Sequence, residues 1–277
     1  MPNSVATTTQ ASPFVKWVGG KRGLMPHLVE RLPAAIDYYY ELFAGGGALF
    51  YEVQRRYPGL KCALLNDVNS ELVTTYRVVR DWPDELIDLL RQCHARHDKD
   101  HYYQVRAQHD LTDNLKIAAR LLYLNRTCFN GLYRVNRRGE FNVPIGRYKN
   151  PAIVQADNIA ACSRALRRTI LSTSQFFDVF ACSEPNTFVY LDPPYDATFT
   201  SYASGGFTSD DQERVRDFAW RLADRGIKVM LSNSDTPLIR ELYDCEPFTV
   251  STVSAPRSCS GKASGRKAAQ EVIITTY

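Results

Sequence analysis

Short apolar runs that end in glycine, aspartate or asparagine and lead into helical patterns recur along this chain, and they constrain its fold more than any other feature. Such alternation is typical of an α/β protein with helices on both faces of a sheet. We interpret seven runs as strands, at residues 38–43, 62–65, 169–171, 188–191, 228–231, 248–251 and 272–275. In open sheets of this class ligands bind at the carboxyl ends of the strands, which is where the polar residues of these runs fall.

The alternation is interrupted between the second and third runs. Residues 69–164 read mainly as helices, followed by a turn-rich segment at about 126–148. Asn-Gly and Arg-Gly steps lie between aromatic and β-branched residues in that segment, which is typical of a hairpin. We therefore predict a helical insertion, 69–164, that carries a β-hairpin, within a catalytic domain formed by 1–68 and 165–277.

Composition narrows the class of protein. The chain has 277 residues and is 44% hydrophobic, so it can bury a full core. No apolar stretch approaches the roughly 20 residues of a membrane span, and we expect a cytoplasmic protein with no membrane partner. The seven cysteines are scattered without a C-x-x-C pair, which is typical of reduced thiols rather than zinc ligands or disulfides.

Charge is concentrated in one part of the chain. The net charge is only +4, but between Lys116 and Lys149 eight basic residues face a single acid, Glu140. Such a local excess suits the phosphate backbone of a nucleic acid. An ordinary solvated basic face explains the charge alone equally well.

The tetrapeptide Asp192-Pro193-Pro194-Tyr195 directly follows the fourth apolar run. An ordinary strand-ending turn is one interpretation. The other is chemical: an adenine amino group is a poor nucleophile because its lone pair is delocalised into the ring. The Asp192 carboxylate and the Pro193 carbonyl could accept its two hydrogens and draw that lone pair out, while Tyr195 stacks on the base.

A glycine cluster at residues 41–50 lies between the first strand and a helical pattern. Glycines there permit a tight turn and let the backbone approach a ligand. Asp67, at the end of the next strand, lies at the right distance along the chain to hold a ribose, as in nicotinamide dinucleotide sites. Phe50 occupies the third glycine position of that motif, which disfavours a nicotinamide-dependent oxidoreductase. A plain strand-to-helix turn also remains possible for a lone glycine loop.

At these motifs the sequence resembles the Dam family (alpha group) of DNA adenine methyltransferases, from Phe14 to near the C-terminus. The residues that carry the resemblance include 14–21, the glycine loop, 123–126 through 147–149, 192–195, 232–235 and the pair at 257–258. The resemblance implies a Rossmann-like, class I S-adenosylmethionine-dependent methyltransferase sheet. S-adenosylmethionine would be the methyl donor, S-adenosylhomocysteine the product, and no metal would be needed.

The resemblance also implies site residues. Asp67 would hold the ribose hydroxyls of the cofactor, and Asp178 would lie near its adenine. The implied cofactor-binding residues are Trp17, Lys21, Phe43, Gly45, Gly47, Asp67, Asp178 and Asp192, and the implied catalytic residues are Asp192, Pro193, Pro194 and Tyr195. The cofactor would be bound beside the reacting base.

On the DNA side, Lys16 would lie close to the first base pair, Arg134 would read a guanine, and Leu132 and Pro144 would touch the outer pair. An arginine fork matches guanine O6 and N7. Phe129 stands where relatives have tyrosine, which keeps stacking and removes a hydroxyl contact. The remaining implied DNA-binding residues are Arg126, Asn130, Asn136, Arg147 and Tyr148.

The expected reaction is methylation of N6 of an adenine flipped out of double-stranded DNA, in GATC. A monomer suffices for this chemistry, and no obligate protein partner is evident. Alternatives are a methyltransferase acting on RNA or on a protein amide, and a DNA-binding module without activity. His94, His97 and His101 fall at helical spacing, but the charged residues between them favour a solvated face over a metal site. We interpret residues 198–206 as a mobile lid and 209–213 as a capped helix start.

Overall fold

The structure is a computed structural model that describes residues 9–21, 23–179, 181–196, 207–255 and 269–277. Its centre is a seven-stranded sheet with the strand order β3-β2-β1-β4-β5-β7-β6. The strands are β1 (Tyr38–Glu41), β2 (Cys62–Asn66), β3 (Thr169–Ser172), β4 (Thr187–Leu191), β5 (Lys228–Ser234), β6 (Thr249–Ala255) and β7 (Ala269–Thr275). Every strand predicted from the sequence is confirmed. The predicted lid and the pair at 257–258 lie outside the described residues.

The strands β1 to β5 are all parallel to one another, and β7 runs antiparallel to both β5 and β6. This is the sheet expected of a class I methyltransferase. Strand β5 is longer than its apolar run because Ser232, Asn233 and Ser234 continue the ladder with β7. The antiparallel partner therefore holds three polar residues in extended form beside the carboxyl end of β4.

Helices cover both faces of the sheet. They are α1 (Met25–Glu30), α2 (Ala48–Arg56), α3 (Ser70–Asp81), α4 (Pro83–Ala95), α5 (Lys99–Arg106), α6 (Asn114–Thr127), α7 (Ala156–Leu166), α8 (Ser209–Asp224) and α9 (Pro237–Leu242). The predicted capped start of α8 is confirmed: the Thr208 side chain accepts from the Asp211 amide, and the Asp211 side chain accepts from the Thr208 amide. None of these helices is both long and apolar enough to cross a membrane.

The core consists of two buried clusters, one on each face of the sheet. Strand β4 contributes to both, because Phe188 and Tyr190 point to one face while Val189 and Leu191 point to the other. Helices α3 to α6 share the first cluster with β1, β2 and α2. The region between β2 and β3 is thus joined to the sheet by continuous apolar packing, and its treatment as a separate recognition domain, 69–164, stays a prediction.

The segment after α6 is antiparallel but only weakly paired. Helix α6 continues to Thr127, so the hairpin begins later than its predicted start at about residue 126. Isolated bridges join Cys128 to Ile145 and Val135 to Phe141, and a tight turn connects Val135 to Phe141. This short ladder is held at its base by the end of α6 and leaves its tip in solvent.

Candidate active site

Asp192 lies directly after β4, next to the extended end of β5. Its Oδ1 accepts a hydrogen bond of 2.7 Å from the Ser232 hydroxyl and lies 2.7 Å from the Lys21 ammonium. The Ser232 hydroxyl is itself 2.8 Å from the Tyr190 hydroxyl. Among the residues that the structure describes, both partners of Asp192 engage the same oxygen, which fixes the carboxylate and leaves Oδ2 for a further donor.

Lys21 is a buried cation in this site, with a side chain only 9% exposed. Its ammonium donates to the Gly19 carbonyl at 2.9 Å and lies 4.5 Å from the centre of the Tyr195 ring. Burial lowers the pKa of Lys21, but Asp192 and Tyr195 together raise it by more, so the net shift is upward. The lysine stays charged and balances the Asp192 carboxylate.

The glycine loop follows β1 and is closed by the N-terminal segment. Gly45 and Gly47 have φ angles of +48° and +64°, which residues with a Cβ rarely adopt. A Cβ on Gly45 would lie 2.7 Å from Cδ1 of Trp17, and one on Gly47 would lie 2.7 Å from the Tyr76 hydroxyl. The loop therefore needs glycine both for its backbone angles and for the close approach of Trp17.

Asp67, at the end of β2, is oriented by the backbone. Its Oδ2 accepts from the Gly45 amide and its Oδ1 from the Asn69 amide, both at 2.9 Å. Burial raises the pKa of Asp67, although these two hydrogen bonds act in the opposite direction. Each carboxylate oxygen keeps a second lone pair, so the group can still accept from a pair of vicinal hydroxyls.

Aromatic side chains lie next to this carboxylate edge. Phe43 packs against Phe176 and Phe207, with ring centroids 5.2 and 6.3 Å away. Asp178 is exposed in the short turn Phe176–Asp178 that follows β3. The structure thus places Phe43, Asp67 and Asp178 along the carboxyl ends of β1, β2 and β3, and their binding of a cofactor stays a prediction.

The hairpin meets the N-terminal segment beside the glycine loop. The Lys16 backbone exchanges two hydrogen bonds of 2.7 Å with the Asn125 amide group, and Trp17 stacks on Tyr133 with centroids 5.2 Å apart. Gly131 has a φ of +64°, and a Cβ there would collide with the Lys16 side chain. The residues next to the glycine loop therefore also support the hairpin.

The predicted DNA-binding residues lie mostly on the outer surface of the hairpin. Phe129 is 49% exposed, and Asn130 beside it has a φ of +56°. The Lys16 ammonium lies 4.4 Å from the centre of the Tyr148 ring. Arg134 is exposed and donates to Asn142 of the same hairpin at 2.6 Å. Leu132 is partly buried, whereas Pro144, Arg147 and Tyr148 are exposed.

A family model described as "D12 class N6 adenine-specific DNA methyltransferase" matches residues 17–258. The chain belongs to this family. It is 40% identical to "Type II methyltransferase M1.LlaDCHI" of Lactococcus lactis subsp. cremoris, over 96% of this chain and 95% of that protein. It is 36% identical to "Type II methyltransferase M.MjaIII" of Methanocaldococcus jannaschii, over 97% and 100%. It is 34% identical to "DNA adenine methylase" of Escherichia coli K12, over 94% and 93%. The protein is an enzyme that methylates adenine in DNA.

Two basic side chains in the 116–149 segment of this adenine methyltransferase make contacts inside the protein. Arg120 is buried, lies 3.2 Å from Glu71 and donates to two backbone carbonyls. Arg126 donates to the Phe14 carbonyl and to Gln155, both at 2.5 Å, and burial lowers its pKa. These two guanidiniums brace α6 internally, so the charge run overstates the basic surface.

Asn136 also makes internal contacts. Its Oδ1 accepts from the Arg138 and Glu140 amides at 2.9 and 3.1 Å, and its Nδ2 donates to the Glu140 carboxylate at 2.8 Å. These bonds shape the hairpin turn. Direct contacts of Arg126 and Asn136 with DNA stay predictions.

Glu41 is a buried acid near Asp192 whose environment could not be predicted from the sequence. It is 3% exposed at the end of β1, and one carboxyl oxygen accepts from the Tyr39 hydroxyl at 2.8 Å and the Phe50 amide at 3.1 Å. Burial, aided by the negative charge of Asp192, raises the pKa of Glu41 to about 8. An acidic residue inside an otherwise apolar run was the one available signal.

Proposed function

We propose that the protein transfers a methyl group from S-adenosylmethionine to N6 of an adenine flipped out of double-stranded DNA, with GATC as the target. The observation that carries this proposal is the Asp192 carboxylate, held through Oδ1 by Lys21 and Ser232. A carboxylate fixed through one oxygen presents the other to a donor without reorganisation.

The residues of the motif suit an amino group as nucleophile. Asp192 accepts one N6 hydrogen and the Pro193 carbonyl accepts the other, so the nitrogen lone pair is drawn out of the ring and becomes nucleophilic. Tyr195 supplies an aromatic surface for the base. S-adenosylmethionine would supply the methyl group and keep the electron pair of the carbon–sulfur bond, and the proton that N6 then loses would pass to the Asp192 carboxylate and on to water.

The cofactor would supply the activated methyl of a sulfonium, and the carboxyl edge of β1 to β3 fits it. Asp67 would hold the two ribose hydroxyls, since its oxygens are oriented by the Gly45 and Asn69 amides. Gly45 and Gly47 allow the backbone to approach the ligand, and Trp17 and Phe43 flank it with aromatic rings. Asp178 would lie near the adenine, and Lys21 would border the methionine end beside Asp192.

The DNA face would consist of the hairpin and Lys16. Arg134 is exposed and its guanidinium can exchange the Asn142 contact for a guanine edge. The resemblance of this sequence to the Dam family favours GATC as the target, and the relatives named "Type II methyltransferase" favour a role in restriction–modification. We expect a monomer acting on the DNA of the nucleoid, in the cytoplasm.

The decisive experiment is incubation of the purified protein with S-adenosylmethionine and unmethylated plasmid, followed by single-molecule mapping of every modified base. We expect N6-methyladenine in GATC, and none with the Asp192→Ala protein. Modification confined to another motif would overturn GATC. Absence of modified DNA from wild-type protein that binds the cofactor would overturn the whole proposal.

A further inference from the structure

Two buried amides form a chain of hydrogen bonds behind the catalytic motif. Gln212 of α8 is 2% exposed, and its Nε2 donates to the Pro194 carbonyl at 2.8 Å. Asn233 of β5 is 1% exposed, and its Nδ2 donates to Oε1 of Gln212 at 2.9 Å. Asn233 Oδ1 in turn accepts from the Asp196 amide at 3.0 Å. We call this set the amide relay.

The direction of the amide relay is fixed by the backbone groups at its ends. The Asp196 N–H can only donate, and so can the Ser234 N–H, which reaches the same Asn233 oxygen at 2.8 Å. The Pro194 carbonyl can only accept. Each side-chain amide therefore has one orientation that satisfies every partner, and both ends belong to the loop that carries the catalytic motif.

The two prolines limit how the backbone of this loop can be held, although the side chains of Tyr195 and Asp196 also bond to Glu271 and Thr236. Pro193 and Pro194 have no backbone N–H, so neither can donate to a neighbouring strand. The relay takes up the Pro194 carbonyl, whereas the Pro193 carbonyl accepts no hydrogen bond from the residues that the structure describes. The Pro194 carbonyl is thus anchored, and the Pro193 carbonyl is left to accept from a donor outside the protein.

We propose that Gln212 and Asn233 are positioning residues that set the orientation of the Pro193 carbonyl through the anchored Pro194 carbonyl. The inference rests on the proposed function, in which the Pro193 carbonyl accepts an N6 hydrogen. A shift of this acceptor by about 1 Å is expected to cost roughly 10²-fold in rate. The cofactor residues and the hairpin lie outside the relay, so binding should be spared.

Gln212→Glu tests this role through pH. An ionised carboxylate only accepts, so it repels the Pro194 carbonyl. A protonated carboxyl has one donor and one acceptor and reproduces both contacts of the glutamine. Because burial raises the pKa of a carboxyl above its usual value of about 4.3, reprotonation should occur within the range where the enzyme is folded.

Single-turnover rates of methylation would be measured from pH 5 to 8 for the wild type, Gln212→Glu and Gln212→Leu, with KM for cofactor and DNA determined at each pH. The charged and titratable groups beside the relay include Asp192, Asp196, Lys21, Asp211, Tyr195 and Glu271. The Thr236 hydroxyl donates to Asp196, and the Tyr195 hydroxyl donates to Glu271. All three proteins share them, so the ratio of variant to wild type isolates the introduced carboxyl.

We expect Gln212→Glu to lose roughly 10²-fold in rate at pH 8 with unchanged KM values, and to regain activity relative to the wild type as the pH falls. Gln212→Leu should be slow at every pH. A rate ratio for Gln212→Glu that does not change with pH would overturn the inference, as would a loss confined to KM. A wild type without activity would instead count against the proposed function.

Asn233→Asp is the complementary variant if Gln212 variants fold poorly, as judged by thermal unfolding. The aspartate still accepts from the Asp196 and Ser234 amides, but its other oxygen would turn the Gln212 amide round and place Oε1 against the Pro194 carbonyl. We expect the same loss of rate at unchanged KM. A rate equal to that of the wild type would overturn the inference.

Discussion

We call the buried polar residues around Asp192 the catalytic edge. The polar groups of this edge are held more firmly than those of the hairpin. Asp192 is held by two partners that are themselves buried, Lys21 and Ser232. Arg134, by contrast, is exposed, and among the described residues it bonds to Asn142 of the same hairpin, whose strands meet at isolated bridges. The polar groups around Asp192 are therefore pre-organised, whereas the exposed Arg134 is free to change partners. If the proposed roles hold, such a protein can alter its target sequence while its chemistry stays the same.

The two regions are nevertheless joined at one point. Lys16 is bonded through its backbone to Asn125 at the end of α6, and Trp17 touches both the glycine loop and Tyr133 of the hairpin. A displacement of the hairpin is therefore transmitted to residues that contact the glycine loop. Mutations intended to affect only one of the two regions must therefore avoid Lys16 and Trp17.

Asp192→Ala should give the largest effect and confine it to the catalytic edge. Removing the fixed acceptor should lower the methylation rate by at least about 10²–10³-fold. DNA affinity and sequence preference should stay within a few-fold of the wild type, because the hairpin makes no contact with this carboxylate. Stopped-assay kinetics and fluorescence anisotropy with a duplex would measure the two properties. An equal loss in DNA affinity would show that the regions are not independent.

Glu41→Gln probes the cost of burial at the catalytic edge. The folded-state pKa of Glu41 is raised to about 8, against about 4.3 in an unfolded chain. Between these values the unfolded chain is ionised while the folded protein keeps the proton, so stability falls as pH rises, by up to about 1.4 kcal/mol per pH unit. A glutamine keeps the acceptor for Tyr39 and Phe50 and removes this dependence.

Urea unfolding of Glu41→Gln and wild type at pH 5, 6, 7 and 8 checks the expectation. The free energy of unfolding of the variant should rise relative to the wild type across this range and level off above pH 8. Two curves that run parallel would contradict a raised pKa at Glu41. No such trend is expected for substitutions on the hairpin surface.

The sequence predicted the sheet well because apolar runs are local features. Each strand was located from its own residues, and Asp67 and Asp192 were placed at strand ends by the same reasoning. The polar end of β5 was not predicted, since Ser232 to Ser234 are extended only through pairing with β7. Pairing between distant segments leaves no local pattern.

The same limit applies to the site. Ser232 and Gln212 act on the catalytic motif from elements 40 and 18 residues away along the chain. Their roles depend on how the elements pack, so no local spacing reveals them. Counting charges likewise placed Arg120 and Arg126 in a DNA-facing run, although burial and hydrogen bonding tie both to the protein interior. Only the chemistry carried by contiguous residues was accessible from sequence.

Arg134→Ala sharpens the comparison from the hairpin side. If Arg134 reads a guanine, its loss should relax discrimination at one base pair by about 1–3 kcal/mol while the rate on saturating cognate DNA changes little. Arg137→Ala, on the same exposed turn, serves as the control and should weaken all duplexes alike. Methylation of duplexes that each carry one substituted base pair measures both variants. A uniform loss for Arg134→Ala would contradict base reading.

Asn136→Ala should give the smallest effect and separates two roles of the hairpin turn. The side chain bonds to the Arg138 and Glu140 amides and to the Glu140 carboxylate, so its removal should loosen the turn by about 1 kcal/mol. A looser turn must become ordered whenever the hairpin binds a duplex, whatever its sequence. We therefore expect a few-fold loss of DNA affinity with unchanged base preference. Competition binding with single-pair substituted duplexes measures this. If preference relaxed at one base pair instead, Asn136 would be a reading residue that exchanges its internal bonds for a base, and the hairpin would be still less pre-organised than its turn indicates.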